Sequence, residues 1–481
     1  MTYLAARPEY ALISIFIYMV GQLVAALPFV QLLVMRVCSD IDGRSAGLSQ
    51  TAFMLSAPDY ERCAKRSDVQ SELSSWMQWL GVFTDVPALI SLIFAGYIVD
   101  KFGRRFAMLA PTVGNLLLAA LWLVSSIVYL PFPVFAVVYF ISGITGGAAV
   151  LSTAVSAYIA DTTKPEERTQ YFMTLSCVSY VGVMIAPPLG GWIAKEISLI
   201  AVFSTMFGLF LFQLLYLLFI MPNSVIPVAE QAPETSDVKT FKSVFIESLT
   251  SSMKALTLLF GNSASATIVL MYLVILLASN MFTVLFVFYP GKVFGWDSSK
   301  TGNLLSIMSL ERIVLLVIAL PIIKRVMSRG GKSVLASEIS ILRFSILMAA
   351  VGEVSFGASP NERVFVLSTL PVSLSVFTVP TMKSILSTST PVDFQGRMFN
   401  GIELLGAAMS VLANFGINWI YQRTVDWFPS AMFFLISSLY LTGFFASWIF
   451  LTERRIQAMK AASGLQVGEE VAVDEETPLL S

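Results

Sequence analysis

Histidine is absent from this chain of 481 residues. That removes Ser-His-Asp triads, His-ligated zinc, haem held through histidine, and histidine proton relays. Cysteine is scarce: Cys38, Cys63 and Cys177 are the full set, too few for a cysteine-rich metal centre. Charge is thin as well, at 13% of residues against about 25% in an average soluble chain. The 30 basic and 31 acidic residues balance, which leaves no basic footprint for nucleic acid. No Asn-x-Ser/Thr sequon occurs, so N-glycosylation is not expected. What remains is apolar: 56% hydrophobic residues and a mean hydropathy of +0.77. This is the composition of an integral membrane protein rather than an enzyme, with no cofactor implied.

A spanning helix needs about 20 apolar residues. Twelve such runs occur, at roughly 10–35, 76–99, 106–129, 133–160, 169–194, 198–221, 265–290, 301–323, 333–356, 364–387, 397–421 and 428–451. The first is too long for a signal peptide and has no small-residue cleavage site after it, so it reads as a retained helix. Basic residues cluster on alternate connections, as at Lys101, Arg104 and Arg105, at Lys324, Arg325, Arg329 and Lys332, and at Arg454, Arg455 and Lys460. By the positive-inside rule both termini are then cytosolic. The expected organisation is an N-terminus over 1–9 and a six-helix bundle over 10–221 with an extracytoplasmic loop at 36–75. A linker over 222–264, a second six-helix bundle over 265–451 and a disordered tail over 452–481 follow. Two halves joined by a linker are a common transporter plan. Gly331-Lys332-Ser333 looks like the tail of a P-loop, but the required earlier glycine is Val326, so an ATP-driven pump is not supported.

The most specific motif runs from Gly96 through Asp100 to Gly103-Arg104-Arg105, between the second and third spans. It resembles the GxxxDxxGRR signature of the major facilitator superfamily. Gly103 permits a tight turn, and Asp100 can pair with arginine or cap a helix N-terminus. The resemblance implies a latch between two bundles in the outward-facing state; a positive-inside anchor is the plainer alternative. Asp161 through Pro165-Glu166-Glu167-Arg168 is similar to a second segment of that superfamily, which adds Asp161 and Arg168 to the latch group. Gly182 through Pro187-Pro188 to Gly190-Gly191 is similar to the GxxxGPxxGG motif of proton-driven drug antiporters, with Ala186 in place of one glycine. Ordinary small-residue helix packing explains it equally well.

Across the whole chain the resemblance is to the proton-coupled folate transporter-like branch. Val69–Leu73, Trp296–Gly302 and Gln395-Gly396-Arg397-Met398-Phe399 carry it. It implies functional roles for Phe399 and Lys383. Ser176 and Ala278 stand where that branch carries its coupling glutamate and its functional histidine. The resemblance therefore implies fold and transport, not substrate.

Ionisable groups inside spans are functional candidates, because each costs a few kcal/mol at the helix centre. Asp85 in the second span and Glu311 and Arg312 in the eighth fall near the midplane, where transporter sites lie. Adjacent residues diverge by about 100° on a helix, so Glu311 and Arg312 cannot both face the cavity squarely. The alternative for this group is a structural ion pair. Lys383 could snorkel from a span end, and Glu403 could be a second proton-sensitive carboxylate or a gate contact. Glu338 and Arg343 read as structural.

Cys38 and Cys63 share the loop 36–75, so a disulfide between them is an open candidate. The tail ends Glu475-xxx-Leu479-Leu480, which looks like an acidic dileucine signal read by sorting adaptor complexes. The expectations are thus an all-α membrane protein of the major facilitator fold, moving a small organic solute by alternating access, with protons a candidate coupling ion and the choice between uptake and export left open. A proton-driven drug exporter and a non-transporting solute receptor are the alternatives. A lysosome-like or vacuolar membrane is favoured over the plasma membrane.

Overall fold

The computed structural model describes residues 6–46, 60–163, 165–224, 250, 263–329, 333–388 and 392–452. The secondary structure over these residues is helical. In a bilayer no water is available to backbone N–H and C=O groups, so the apolar runs must satisfy them internally as helices. The spans are α1 (Pro8–Ala46), α2 (Ser67–Phe102), α3 (Arg104–Ser125), and α4 in two pieces (Phe132–Ile144 and Gly147–Thr162). Then come α5 (Pro165–Glu196), α6 (Leu199–Leu215, prolonged by a π turn), and α7 (Ser263–Phe294). The eighth, α8, begins as Ser298–Val314 and continues through a π turn into Leu320–Arg329. The last four are α9 (Val334–Gly357), α10 (a chain of short helical pieces from Glu362 to Thr388), α11 (Val392–Thr424) and α12 (Ala431–Phe450).

Eleven of these are long and apolar enough to cross a membrane, and α7 adds the shorter apolar stretch Ala266–Phe282. The protein is a multi-pass membrane protein. Gly146 at φ +85° and Gly147 at φ +51° sit where α4 breaks, and Gly103 at φ +87° turns the chain from α2 into α3. These left-handed angles cost a side chain bearing Cβ about 1–2 kcal/mol.

In the first half, α1 packs on α5, α6 and α4, and α3 packs on α6 and α4. In the second, α12 packs on α9 and α7, and α7 also packs on α11. The halves meet along two seams, α5 with α8 and α2 with α11.

The segment 36–75 is not a plain loop. Helix α1 runs on to Ala46, a six-residue helix spans Tyr60–Lys65, and α2 already begins at Ser67. Its polar residues are paired rather than solvated singly: Arg66 meets Asp42 at 2.5 Å and Asp68 at 2.6 Å. Those two carboxylates, Asp68 first, hold the Arg66 guanidinium above its ordinary range.

Candidate functional site

Both seams are closed at the end of the molecule away from the termini. Along α5–α8 the helices touch by backbone. A Cβ on Gly191 would stand 2.5 Å from the Ser299 Cα, and one on Gly302 would stand 2.7 Å from the Pro187 carbonyl oxygen. Ser306 donates to the Met184 carbonyl, and Ser298 donates to Gln31 of α1 at 2.7 Å. Along α2–α11 the contact is a line of polar side chains. Ser74 donates to Asn418 Oδ1 at 3.0 Å, Asn418 Nδ2 to Asn414 Oδ1 at 2.8 Å, and Asn414 Nδ2 to Asp85 Oδ2 at 3.1 Å. Gln422 donates to Gln78 at 2.8 Å beside it. Gly81 lies against the Asn414 amide with no room for a Cβ.

The short helix Tyr60–Lys65 adds a third bridge. Tyr60 donates to the Trp296 carbonyl at 3.2 Å, and Lys292 of α7 donates to the Lys65 carbonyl and the Ser67 hydroxyl at 2.6 Å each. A disulfide between Cys38 and Cys63, with Cα atoms 5.8 Å apart, ties this helix to α1. At the terminal end, no hydrogen bond or ion pair joins the halves among the described residues.

Asp85 lies midway along the 36-residue helix α2, half-buried at the seam, with Asn414 on it. Glu311 is turned into its own half, where Thr369 and Ser373 of α10 donate to it at 3.0 and 2.6 Å. Arg312 takes a different direction, within electrostatic reach of Glu353 on α9 and Tyr440 on α12. Its Nε and one Glu353 oxygen find no hydrogen-bond partner among the described residues. Glu353, 1% exposed, was not legible as a candidate because it falls near the end of its apolar run. A lone acid inside Ala349-Ala350-Val351-Gly352-Glu353-Val354 was the available signal. Asn414 and Asn418 were missed as well; polar amides one turn apart in α11 were the signal there.

In the latch group, Gly103 forms the turn described above, while Arg104 donates to Asp161 at 2.8 Å and to the Val99 carbonyl at 2.8 Å. Ser224 also donates to Asp161, at 2.9 Å, and Arg105 donates to the Leu218 carbonyl. The two latch segments therefore meet within the first half, α3 to the end of α4. The backbones of Gly96 and Asp100 lie in α2, Arg168 in α5, Lys383 in α10, and Phe399 and Glu403 in α11. Their side chains are outside the described ones, and Glu475, Leu479 and Leu480 lie wholly outside the described residues. Glu338 ties three helices of the second half, accepting from Ser384 at 2.7 Å and facing Lys324 at 3.7 Å.

The sequence model of the Major Facilitator Superfamily matches residues 45–413. An MFS-type transporter from Aspergillus versicolor, avaJ, is 25% identical over 81% of this chain and 78% of its own length. The human lysosomal proton-coupled steroid conjugate and bile acid symporter SLC46A3 is 24% identical, over 79% of this chain and 80% of its own. The crystal structure of the human organic anion transporter MFSD10 superposes at a TM-score of 0.60 and 18% identity, covering 92% of this chain and 99% of that one. With two halves meeting along two helix seams and a family match over most of its length, this chain belongs to the Major Facilitator Superfamily of transporters.

Proposed function

We propose that this protein is a secondary active transporter that moves a small organic solute by alternating access, driven by protons that bind Asp85. The observation that carries the reading is the position of Asp85: a carboxylate midway along α2, on the seam between the halves. In a chain without histidine, a carboxylate is the natural group to gain and lose a proton. A residue on a moving interface can exchange that proton with one side and then the other. Glu311 is the secondary candidate, since two hydroxyls of its own half already engage it.

A relative named a lysosomal proton-coupled symporter supports both the coupling and an acidic-organelle membrane for this chain. Both termini face the cytosol in this reading, where the tail signal at Glu475, Leu479 and Leu480 meets a sorting adaptor complex. Close approach accounts for the glycines at the end of the α5 run: Gly191 meets α8, and Gly190 meets the α1 backbone at Val24. They therefore do not single out export.

The test is purified protein in proteoliposomes under an imposed pH gradient, screened with amphipathic organic solutes, steroid conjugates and bile acids among them. Gradient-driven flux that Asp85→Asn abolishes and Glu311→Gln reduces less is the expected result. Saturable binding without flux would make the protein a receptor, and unchanged pH dependence in Asp85→Asn would move the coupling site elsewhere.

A further inference from the structure

The hydrogen bonds on the α2–α11 seam have a direction. An ionised carboxylate only accepts, so the Asn414 group that faces Asp85 is its NH2. That leaves the Asn414 oxygen to accept from the Asn418 NH2, and the Asn418 side-chain oxygen to share the Ser74 hydroxyl proton with the Asn418 carbonyl. All three donors point the same way, from α2 through one turn of α11 and back to α2 at Asp85. Ser74 is 0% and Asn418 1% exposed, so water does not compete for these bonds. Chains of aligned hydrogen bonds polarise one another, and a charged acceptor at the end strengthens them all.

Among the described side chains, the charges of the helices around α2 lie toward their ends: Glu9, Arg36, Asp40 and Asp42 on α1, Arg104 and Arg105 on α3, Asp161 on α4, Lys292 on α7 and Arg423 on α11, while the Glu403 side chain of α11 lies outside the described ones. Asn414 is the polar partner of Asp85 among the described side chains, and no described charge acts on the carboxyl directly.

We infer that this chain is a proton-controlled gate: ionised Asp85 holds the two halves shut at the end away from the termini, through Asn414, Asn418 and Ser74, and a proton on Asp85 loosens that closure. The inference rests on the coupling reading for Asp85 and adds what the proton does there. Asn414 is a positioning residue, transmitting the state of Asp85 to the partner half. Gly81 lets α11 approach closely enough for the Asn414 contact, since a Cβ at that position would overlap the amide.

The experiment measures the distance between spin labels at the distal end in full-length protein in nanodiscs, from neutral to acidic buffer. Labels at Ile127→Cys and Leu367→Cys, both exposed positions, are read in a Cys177→Ser background with the Cys38–Cys63 disulfide intact. The wild type should show a longer-distance population that grows as pH falls. Asp85→Asn should show that population at every pH. Asn414→Ala should do the same with Asp85 present, and Ser74→Ala, at the far end of the chain, should raise it less while folding normally.

A wild-type distance that ignores pH overturns the gate, as does a full pH response in Asn414→Ala or, should that variant not fold, an unaltered response in Ser74→Ala. The coupling reading fails separately. If Asp85→Asn abolishes pH-driven flux while wild-type distances ignore pH, the gate falls and the coupling stands. If the distances respond to pH while flux in Asp85→Asn keeps its pH dependence, the gate stands and the coupling falls.

Discussion

The two seams of this transporter close in different ways. Along α5–α8 the surfaces are nearly bare backbone: Gly191 against Ser299, Gly302 against Pro187. Along α2–α11 they are amides and hydroxyls that end on one carboxylate. A backbone-on-backbone seam depends on shape, because close-packed surfaces have no slack for an added methyl group. A hydrogen-bonded seam depends on which groups are charged. One molecule thus holds one seam set by shape and one set by hydrogen bonds, at the same end.

The steric seam should be the more fragile. Gly302→Val should push α8 away from Pro187 at an overpacking cost of about 1–3 kcal/mol, placed on the closed state alone. A cost of that size shifts a two-state equilibrium by a factor of roughly 5–150, so transport should be nearly lost while the protein still folds. The measurement is flux beside the melting temperature, and normal flux in that variant would remove the contrast between the seams.

Removing the disulfide comes next. Cys38→Ser with Cys63→Ser should lower stability by about 2–4 kcal/mol, the usual range for a closed loop, here of sequence separation 25. Thermal unfolding reads the loss, and a pH response of the distal distance that survives would show that the short helix and the polar seam act independently.

A smaller and more selective effect is expected from Asp100→Asn. If the latch reading holds, it should slow transport far more than it weakens solute binding, because a latch would act on the balance of states rather than on the solute. Equal loss of both, or of neither, would return the motif to an anchor. Smallest is the tail: Leu479→Ala with Leu480→Ala should leave flux in proteoliposomes unchanged and move the protein to the cell surface, as read by fluorescence.

Much of the fold was legible because bilayer physics is one-dimensional. Apolar runs at about 20-residue length announce spans wherever they occur, and Gly103 between Asp100 and Arg104 announced a turn that the backbone adopts with φ +87°. The extension of α1 to Ala46 was not legible, since its last turns carry Arg36, Asp40 and Asp42 and fall below any apolarity threshold. Pairing with Arg66, the residue just before α2, explains how Asp42 is accommodated there.

Of the candidate site, the sequence by itself determined which ionisable groups fall within apolar runs, Asp85, Glu311, Arg312 and Glu403 among them, and that no histidine is available. It also determined that Arg104 and Asp161 belong to segments of one superfamily. Only the tertiary structure decided their partners. Glu311 faces Thr369 and Ser373 within its own half, whereas Asp85 faces Asn414, 329 positions away in the chain. Charge and depth can be read along a chain because each is a property of one residue and its neighbours. Which acid meets which partner across two packed halves is set by how helices distant in sequence dock, and a single sequence carries no local signal for that.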